Sequence, residues 1–391
     1  MVEANSREFW LATLALCLGS LLVFANVHMT QPLLPLLAQQ FQLTELQASW
    51  SLTITLLMLG LSLLIYGPAS DALGRKPLMV ASLFGAVLST LALSQVQSYP
   101  MLVVLRGIQG FCLGGLPAIA IAYMGDEFSR KAVAMAVGFY ISANSIGGVT
   151  GRLISGFVGE HYGWSMTFAV MGMVGGVLLG LFIWLLPPSQ HFEAKPLKFR
   201  QVLQDIIFHL KNPILVVAFL IAGGNFMMFI HQYSFITFVL SAEPYYLSTH
   251  ALGMLFLTYL TGSISAALSG HWGKYFPTPL GMALGIILLI LGSLLTLVPN
   301  LLIIILAFML NSIGFFLTHS LASSWVSQHA TRARASASSL YLVFYYLGAS
   351  LGGVVLTPFW TQWGWSGIIM GSLMMYCLTL IGCMWLYRKN R

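Results

Sequence analysis

The chain has 391 residues, of which 58% are hydrophobic and 7% are charged, and its formal net charge is +7. Soluble domains average about 25% charged residues, so this composition excludes a soluble enzyme or binding module and indicates a polytopic membrane protein. All 4 cysteines lie inside apolar runs, which argues against a disulfide framework or a metal site.

Twelve apolar stretches follow one another along the chain, separated by short polar connections. Each is long enough to cross about 30 Å of hydrocarbon at about 1.5 Å per residue. The first is expected to be a retained span rather than a signal peptide, because no small-x-small cleavage site follows it. The predicted spans are 9–37, 46–70, 77–97, 100–124, 131–159, 164–187, 213–241, 249–273, 278–298, 301–327, 333–361 and 365–387.

Lysine and arginine residues gather in every second connection between these spans. With the N-terminus inside, all of the 17 except Arg106 and Arg152 fall in cytoplasmic segments. This positive-inside distribution predicts that both termini are cytoplasmic. A basic surface that faces anionic lipid accounts for the net charge without a nucleic-acid partner.

The second half of the chain repeats features of the first half at an offset of about 203 residues, as in a parallel structural repeat. Gly163-Trp164-Ser165 recurs as Gly364-Trp365-Ser366, His28 matches His231, and Tyr140 matches Tyr345 (364 − 163 = 201, 231 − 28 = 203, 345 − 140 = 205). This offset predicts two six-helix bundles of the same orientation, at 1–187 and 213–391, joined by a cytoplasmic linker at 188–212. Residues 199–210 have the spacing of a short amphipathic helix that could lie along the membrane surface.

Two motifs stand out within the first half. The connection between the second and third spans reads Gly67-x-x-x-Asp71-x-x-Gly74-Arg75-Lys76-Pro77, and the fourth span carries Leu102-x-x-x-Arg106-x-x-Gln109-Gly110-x-x-x-Gly114-Gly115. Gly74 suits the position after a helix end, and Pro77 suits the first turn of the next helix. Asp71 would lie at the negative end of a helix dipole, which costs roughly 0.3–1 kcal/mol, so it needs Arg75 or a neighbouring helix N-terminus beside it.

In this order, the two motifs resemble the signature motifs of the major facilitator superfamily. Longer strings, from Tyr140 to Gly156 and from Ala322 to Gly348, are similar to the YnfM-type bacterial inner-membrane transport proteins, a group that resembles secondary exporters. The resemblance implies an all-α membrane fold of twelve transmembrane helices, in which two six-helix bundles related by a parallel repeat hold substrate between them. It also implies a cytoplasmic gate formed by Gly67, Asp71, Gly74, Arg75 and Asp126.

Arg106 and Arg152 lie within spans, each roughly 10 Å below the outer surface at 1.5 Å per residue. An arginine at a helix centre costs at least about 2.5–3.5 kcal/mol, which makes an intramembrane arginine a functional candidate by default. For Arg106 two interpretations remain: the resemblance implies proton coupling, and hydrogen bonding to carbonyls of a kinked neighbouring helix is the structural alternative. Arg152 is predicted to line the cavity and to contact an anionic or polar substrate.

Several other polar and aromatic residues are predicted to line the substrate cavity with Arg152. Histidines at span depth are the groups expected to titrate near neutral pH, although a neutral imidazole packed between helices would be purely structural. Ala143-Asn144 stands where drug/proton antiporters of the superfamily carry a Gly-Pro pair, which places the polar Asn144 near the centre of span five. The candidates are His28, Tyr140, Asn144, Asn225, His231, His319 and Tyr345.

The sequence therefore predicts a secondary transporter that works by alternating access, not an enzyme. Proton-coupled efflux of a small organic solute (a drug, sugar or metabolite) is the first hypothesis, and uptake of an organic anion by symport, using Arg106 and Arg152, is the alternative. The chain lacks a phosphate-binding Gly-x-x-x-x-Gly-Lys-Ser/Thr loop, so ATP is not expected to drive it directly. We expect a monomer in the bacterial inner membrane, with a small-molecule substrate, protons and lipid as its partners and no cofactor.

Overall fold

The computed structural model describes residues 1–192, 194, 199–272 and 277–389 of the chain. Four predicted cytoplasmic cations, Lys195, Lys198, Lys274 and Arg391, lie outside the described residues. Throughout the described part the regular elements are helices, with an isolated bridge between Val2 and Phe128. The α-helices are α1 Arg7–His28, α2 Leu34–Phe41, α3 Glu45–Leu73, α4 Arg75–Leu93, α5 Tyr99–Leu113, α6 Gly115–Glu127, α7 Arg130–Leu185, α8 Phe199–Leu210, α9 Pro213–Ser241, α10 Thr249–Leu255, α11 Tyr259–Trp272, α12 Thr278–Leu295, α13 Leu301–His329 and α14 Arg334–Lys389.

Ten segments of the described chain are long and apolar enough to cross a membrane. Two of them, α7 and α14, are helices of 56 residues, and each bends where a single glycine leaves the helical conformation. Gly163 has φ 84° and Gly364 has φ 55°, a region that favours glycine because it has no Cβ. The bends coincide with the predicted junctions of spans five and six and of spans eleven and twelve. Counting each long helix as two spans confirms the twelve predicted spans.

Three predicted spans are interrupted in the structure. The predicted span 9–37 consists of α1 and α2 with a turn between them, because Pro32 lacks an amide hydrogen and restricts the residue before it. The predicted span 249–273 contains the 3-10 segment Phe256–Thr258, between α10 and α11. The fourth span is divided at Gly114, between α5 and α6. Hydropathy finds such spans but does not detect these local breaks.

The chain divides into two compact units. Unit 1 comprises Met1–Leu43, Trp50–Phe199 and Ser248–Met254, and unit 2 comprises Thr44–Ser49, Arg200–Leu247 and Leu255–Arg391. Within each unit, the first part of a 56-residue helix packs closely against another spanning helix through glycines, α7 against α1 in unit 1 and α14 against α9 in unit 2. Small residues at such faces let two backbones approach closely in a membrane.

In unit 1 this packing involves Gly147 and Gly151. A Cβ added at Gly147 would lie 2.9 Å from the Cα of Leu21, and one at Gly151 would lie 2.4 Å from the carbonyl oxygen of Ala25. The two glycines therefore hold the backbone of α1 against that of α7. This contact sets the positions of the polar side chains that follow Ala25 on α1.

Replacing Gly151 by alanine should destabilise unit 1 by about 1–3 kcal/mol, because the added methyl group overlaps the Ala25 carbonyl. Gly176→Ala is the matched control on the same helix, since no described atom lies within 4 Å of a Cβ built there. Thermal unfolding of the purified variants in detergent measures the difference. Equal melting temperatures for the two variants would contradict the packing described for α1 and α7.

Candidate functional site

Arg106, on α5, is completely buried and binds backbone carbonyls of two other helices. Its Nε donates to the carbonyl oxygen of Ser51 at 2.9 Å, and its two terminal nitrogens donate to those of Asn26 and Val27 at 2.9 and 3.0 Å. The last two carbonyls belong to the final turn of α1, where carbonyls have no helical donors of their own. Arg106 therefore donates hydrogen bonds to the last turn of α1, at the break in the first span.

A fully buried set of side chains surrounds this guanidinium group and links three spans of unit 1. The amide oxygen of Gln109 accepts from Arg106, and the amide nitrogen of Gln109 donates to Asn26 Oδ1 at 3.3 Å and to Thr90 Oγ1 at 2.5 Å. Thr90 donates in turn to Asn26 Oδ1 at 3.1 Å. Satisfied polar networks of this kind fix one packing arrangement.

Arg152, on α7, has a relative exposure of 1% and is held by two neutral groups. Its Nε donates to Gln31 Oε1 at 2.7 Å, and its Nη1 donates to the carbonyl oxygen of Gly148 at 2.9 Å. Gln31 lies in the turn between α1 and α2, so the turn around Pro32 also places this acceptor beside Arg152. Amide and carbonyl oxygens orient the guanidinium group but bring no negative charge to it.

His28, the last residue of α1, faces the same glycine as Arg152. A Cβ built at Gly148 would lie 3.4 Å from Arg152 Nη1 and 3.6 Å from His28 Cδ2. The Nδ1 atom of His28 is buried and has no hydrogen-bond partner within the described part of the chain. Buried polar atoms in native structures usually have a partner, so this nitrogen is an exception among the described residues. The structure thus brings His28 and Arg152 together.

Two other candidates lie further along the same faces of α1 and α7. Asn144 accepts a hydrogen bond through its Oδ1 from the hydroxyl group of Ser20. Tyr140 is buried, with a relative exposure of 3%. Both precede Gly147 and Gly148 on α7, so they lie on the part of this helix that comes before the Arg152 cluster.

Unit 2 contains a histidine in the position that the repeat predicts. His231, on α9, hydrogen-bonds through Nδ1 to the carbonyl oxygen of Met227 at 3.1 Å. A Cβ added at Gly353 would lie 3.2 Å from His231 Nε2, which parallels the position of His28 beside Gly148 in unit 1. At the repeat offset of 205, Arg152 corresponds to Thr357, whose hydroxyl group donates to the Gly353 carbonyl at 2.6 Å. The histidine recurs between the units, whereas the cation does not.

The remaining candidates in unit 2 have aromatic or polar neighbours. Tyr345 stacks on Phe226 with ring centroids 3.8 Å apart. His319 is partly buried and lies 2.9 Å, through Nδ1, from the hydroxyl oxygen of Tyr341. Asn225 accepts a hydrogen bond from the hydroxyl group of Thr379 at 2.8 Å. These positions are separate from the His231 contact.

Sequence reasoning missed several buried amides that hold these sites together. One is Gln31 in unit 1; another is Gln232 in unit 2, which donates to Ser293 Oγ at 2.9 Å and accepts from Asn311 Nδ2 at 3.0 Å. Gln109 is part of the second sequence motif, but its contacts were not predicted. Each of these amide side chains lies inside an apolar run. A search for uncharged polar residues at span depth would have found them.

The predicted gate residues lie near one another in unit 1. Arg75 binds both Asp71, at 2.6 Å, and Asp126, at 2.9 Å, and its Nη1 donates to Ser70 Oγ. Arg75 is therefore the partner that Asp71 needed. Gly74 has φ 102°, as expected after a helix end, whereas a Cβ at Gly67 would meet no described atom within 4 Å.

Removing the central cation of this cluster should bring two carboxylates into mutual repulsion. We expect Arg75→Gln to lower the stability of unit 1 by about 1 kcal/mol, since Asp71 and Asp126 are partly exposed and their interaction is screened. The double variant Arg75→Gln with Asp126→Asn removes the repulsion and should regain part of the loss. Thermal unfolding at low and high salt measures both effects, and a loss unchanged by salt would contradict an electrostatic origin.

Twelve spans in a doubled helical plan, with two arginines buried within them, define a polytopic membrane protein. The sequence model of the Major Facilitator Superfamily matches residues 16–353, and the chain belongs to that family. The chain is therefore a multi-pass membrane protein of a family that transports small solutes.

The chain is similar to named transporters over nearly its whole length. It is 35% identical over 384 residues to the inner membrane transport protein YnfM of Escherichia coli (strain K12), covering 97% of this chain and 92% of YnfM. It is also 35% identical over 372 residues to the uncharacterized MFS-type transporter YybF of Bacillus subtilis (strain 168), covering 94% of this chain and 91% of YybF.

Among solved structures, the nucleoside transporter NupG has a similar fold. Its TM-score is 0.77 at 15% sequence identity, and the match covers 97% of this chain and 100% of the NupG chain. The agreement confirms the predicted fold class.

Proposed function

We propose that this protein is a proton-coupled secondary transporter that exports a small organic solute by alternating access, and that Arg152 binds an anionic or polar group of that solute. The observation that carries the proposal is the cluster of His28 and Arg152 on either side of Gly148. It combines a buried cation with a ring nitrogen that has no partner among the described residues. A guanidinium group is suited to a carboxylate or phosphate, since its fork of donors matches two oxygens.

The acceptors of Arg152 support a binding role over a purely structural one. An amide and a carbonyl orient the guanidinium group, so a negative group of a solute that approached it would be attracted by a cation in a buried, weakly screened environment. Arg106 differs, because its donors are directed at the carbonyls of Ser51, Asn26 and Val27. We therefore assign substrate contact to Arg152 and give Arg106 the task of holding α1 in place beside it.

His28 is the proposed proton carrier of the cluster. Histidine is the side chain whose ordinary titration range is nearest to neutral pH. Its position next to Arg152 would couple the two charges, because a protonated imidazole and a guanidinium group repel each other at short range unless an anion lies between them. Such an anion would favour protonation of His28, which fits the symport alternative. Antiport instead requires competition, in which a solute group that donates a hydrogen bond to Nδ1 of neutral His28 excludes the proton from that atom.

The proposed topology has two six-helix bundles, 1–187 and 213–391, with the linker and both termini in the cytoplasm of a bacterial cell. The positive-inside distribution of lysine and arginine supports this orientation. The direction of transport is proposed from the resemblance of the longer sequence strings to secondary exporters.

A ligand screen followed by a flux assay tests the proposal. Thermal-shift measurements with acids, sugars and lipophilic cations identify a ligand, which is then supplied in labelled form to proteoliposomes under an imposed pH gradient. Antiport predicts that the ligand accumulates in vesicles with an acidic lumen, because departing protons drive its entry. Accumulation only when the outside is acidic would instead support symport, the alternative in which an organic anion is taken up. Transport indifferent to the gradient would contradict proton coupling.

A further inference from the structure

We propose that the linker helix α8 docks on the surface of an anionic lipid bilayer through a stripe of leucine and isoleucine that the described part of the chain leaves exposed. The inference concerns unit 2 alone and does not depend on what the protein transports. It begins with the two opposite faces of this helix, one bound to the protein and one exposed.

The inner face of α8 is held by the connection between α13 and α14. Arg332 lies 3.7 Å from the carboxylate of Asp205, and its guanidinium carbon lies 3.7 Å from the centre of the Phe208 ring. His209 is completely buried and hydrogen-bonds through Nε2 to the carbonyl oxygen of Ala333 at 3.3 Å. These contacts fix the rotation of the helix about its own axis.

The opposite face of α8 is apolar and exposed. Leu203, Ile207 and Leu210 follow one another at spacings of four and three residues, so they form one stripe on the helix surface. Their exposed fractions are 52%, 43% and 42%, although leucine and isoleucine are among the residues most often buried. An apolar stripe that the described residues leave exposed is a candidate contact surface for a membrane or another protein.

Two cations border this stripe and identify the occupant. Arg200 and Lys211 are both exposed and fall beside the stripe at about 100° per residue, whereas Asp205, the acidic residue of α8, is turned inward to Arg332. An apolar stripe with a basic edge is typical of helices that lie in the interface of an anionic membrane. Position agrees with this partner, because the spanning helix α9 begins at Pro213, directly after Lys211 and Asn212.

The occupant is therefore the headgroup and upper acyl region of anionic phospholipid at the end of α9 where α8 lies. Through the contacts of its inner face, α8 would link the charge of the bilayer surface to the α13–α14 connection.

Spin labels on the full-length protein test the inference. With the 4 native cysteines replaced, Ile207→Cys and Gln201→Cys carry the label, the second being an exposed control position away from the stripe. The protein is reconstituted in phosphatidylcholine with or without phosphatidylglycerol. We expect the label at 207 to collide with oxygen more often than with a water-soluble nickel chelate. The label should lie deeper when phosphatidylglycerol is present. This difference in depth between the two lipid compositions should disappear in Arg200→Gln/Lys211→Gln or at high salt. The label at 201 should remain accessible to nickel.

Three results would overturn the inference. A label at 207 that nickel reaches equally in both membranes would show a helix in water. A label protected from both reagents would show that a protein surface, such as a second copy, covers the stripe. A depth that is the same in both lipids and in the charge variant would remove the role of anionic lipid. A thermal-unfolding check on each labelled protein ensures that depth is measured on folded chains.

Discussion

Replacing Arg152 by glutamine is expected to reduce transport of the identified solute by about 30-fold to 5,000-fold, because removing one partner of a buried charge interaction costs about 2–5 kcal/mol. Glutamine retains hydrogen-bonding capacity towards Gln31 and the Gly148 carbonyl but lacks the positive charge proposed to bind the solute. Initial rates in proteoliposomes, with the amount of inserted protein measured for each variant, give the size of the effect.

Two further variants separate charge from geometry at this position. Arg152→Lys keeps the charge without the two-pronged donor geometry and should retain partial activity. Arg130→Gln removes an exposed cation at the start of the same helix and should leave transport unchanged. Full activity of Arg152→Gln, with unfolding similar to the parent protein, would contradict the assignment of Arg152 to substrate binding.

Replacing Arg106 by methionine should destabilise the protein by about 1–3 kcal/mol for each buried carbonyl that loses its donor. The carbonyls of Asn26, Val27 and Ser51 would lose their donors inside the membrane, where water cannot replace them. We expect less folded protein after detergent extraction and a lower thermal-unfolding midpoint.

Arg106→Lys should be nearly as harmful, because one ammonium group lacks the planar fork that reaches carbonyls on two sides of the guanidinium group. Glu8→Gln, at the exposed start of α1, is a matched control on the helix that Arg106 caps. If Arg106→Lys unfolds like the parent protein yet loses its response to a pH gradient, Arg106 acts in proton coupling rather than as a cap. That outcome would reassign its role.

The fold was largely predictable because its signals are local or repeated. Span length and hydropathy depend on composition over a window, and the recurrence of Gly163-Trp164-Ser165 at Gly364-Trp365-Ser366 marked the two bends. The break after His28 was less visible, since the apolar run continues through Pro32 and Pro35. There the missing amide hydrogen of proline outweighs hydropathy.

The site was predictable only in part. The free-energy cost of burying a charge in a membrane identified Arg106 and Arg152 as candidates. The same argument applies to both residues, so it does not distinguish their roles. The two arginines differ in the hydrogen-bond acceptors that other parts of the chain supply, such as Gln31 for Arg152 and Ser51 for Arg106. Such pairs are set by how helices pack through glycines, which sequence spacing does not specify.

The internal repeat was informative because equivalent positions in the two halves are packed in the same way. It predicted that His28 and His231 occupy equivalent positions, and each lies against a glycine of the long helix in its own unit. At the repeat offset of 205 the sequence pairs Arg152 with Thr357, so the charged residue has no charged counterpart in the second half. Equivalent helix packing with different side chains is how a duplicated fold can acquire one charged site.

The most direct test of the central claim is the binding of a matched pair of ligands, a carboxylic acid identified by the screen and its neutral amide, to the parent protein and to Arg152→Gln. If Arg152 binds the anionic group, the parent protein should prefer the acid by roughly 10-fold or more, a difference of about 1.4 kcal/mol, and the variant should bind both alike. An undiminished preference for the acid in Arg152→Gln would contradict the claim that this buried cation recognises the solute.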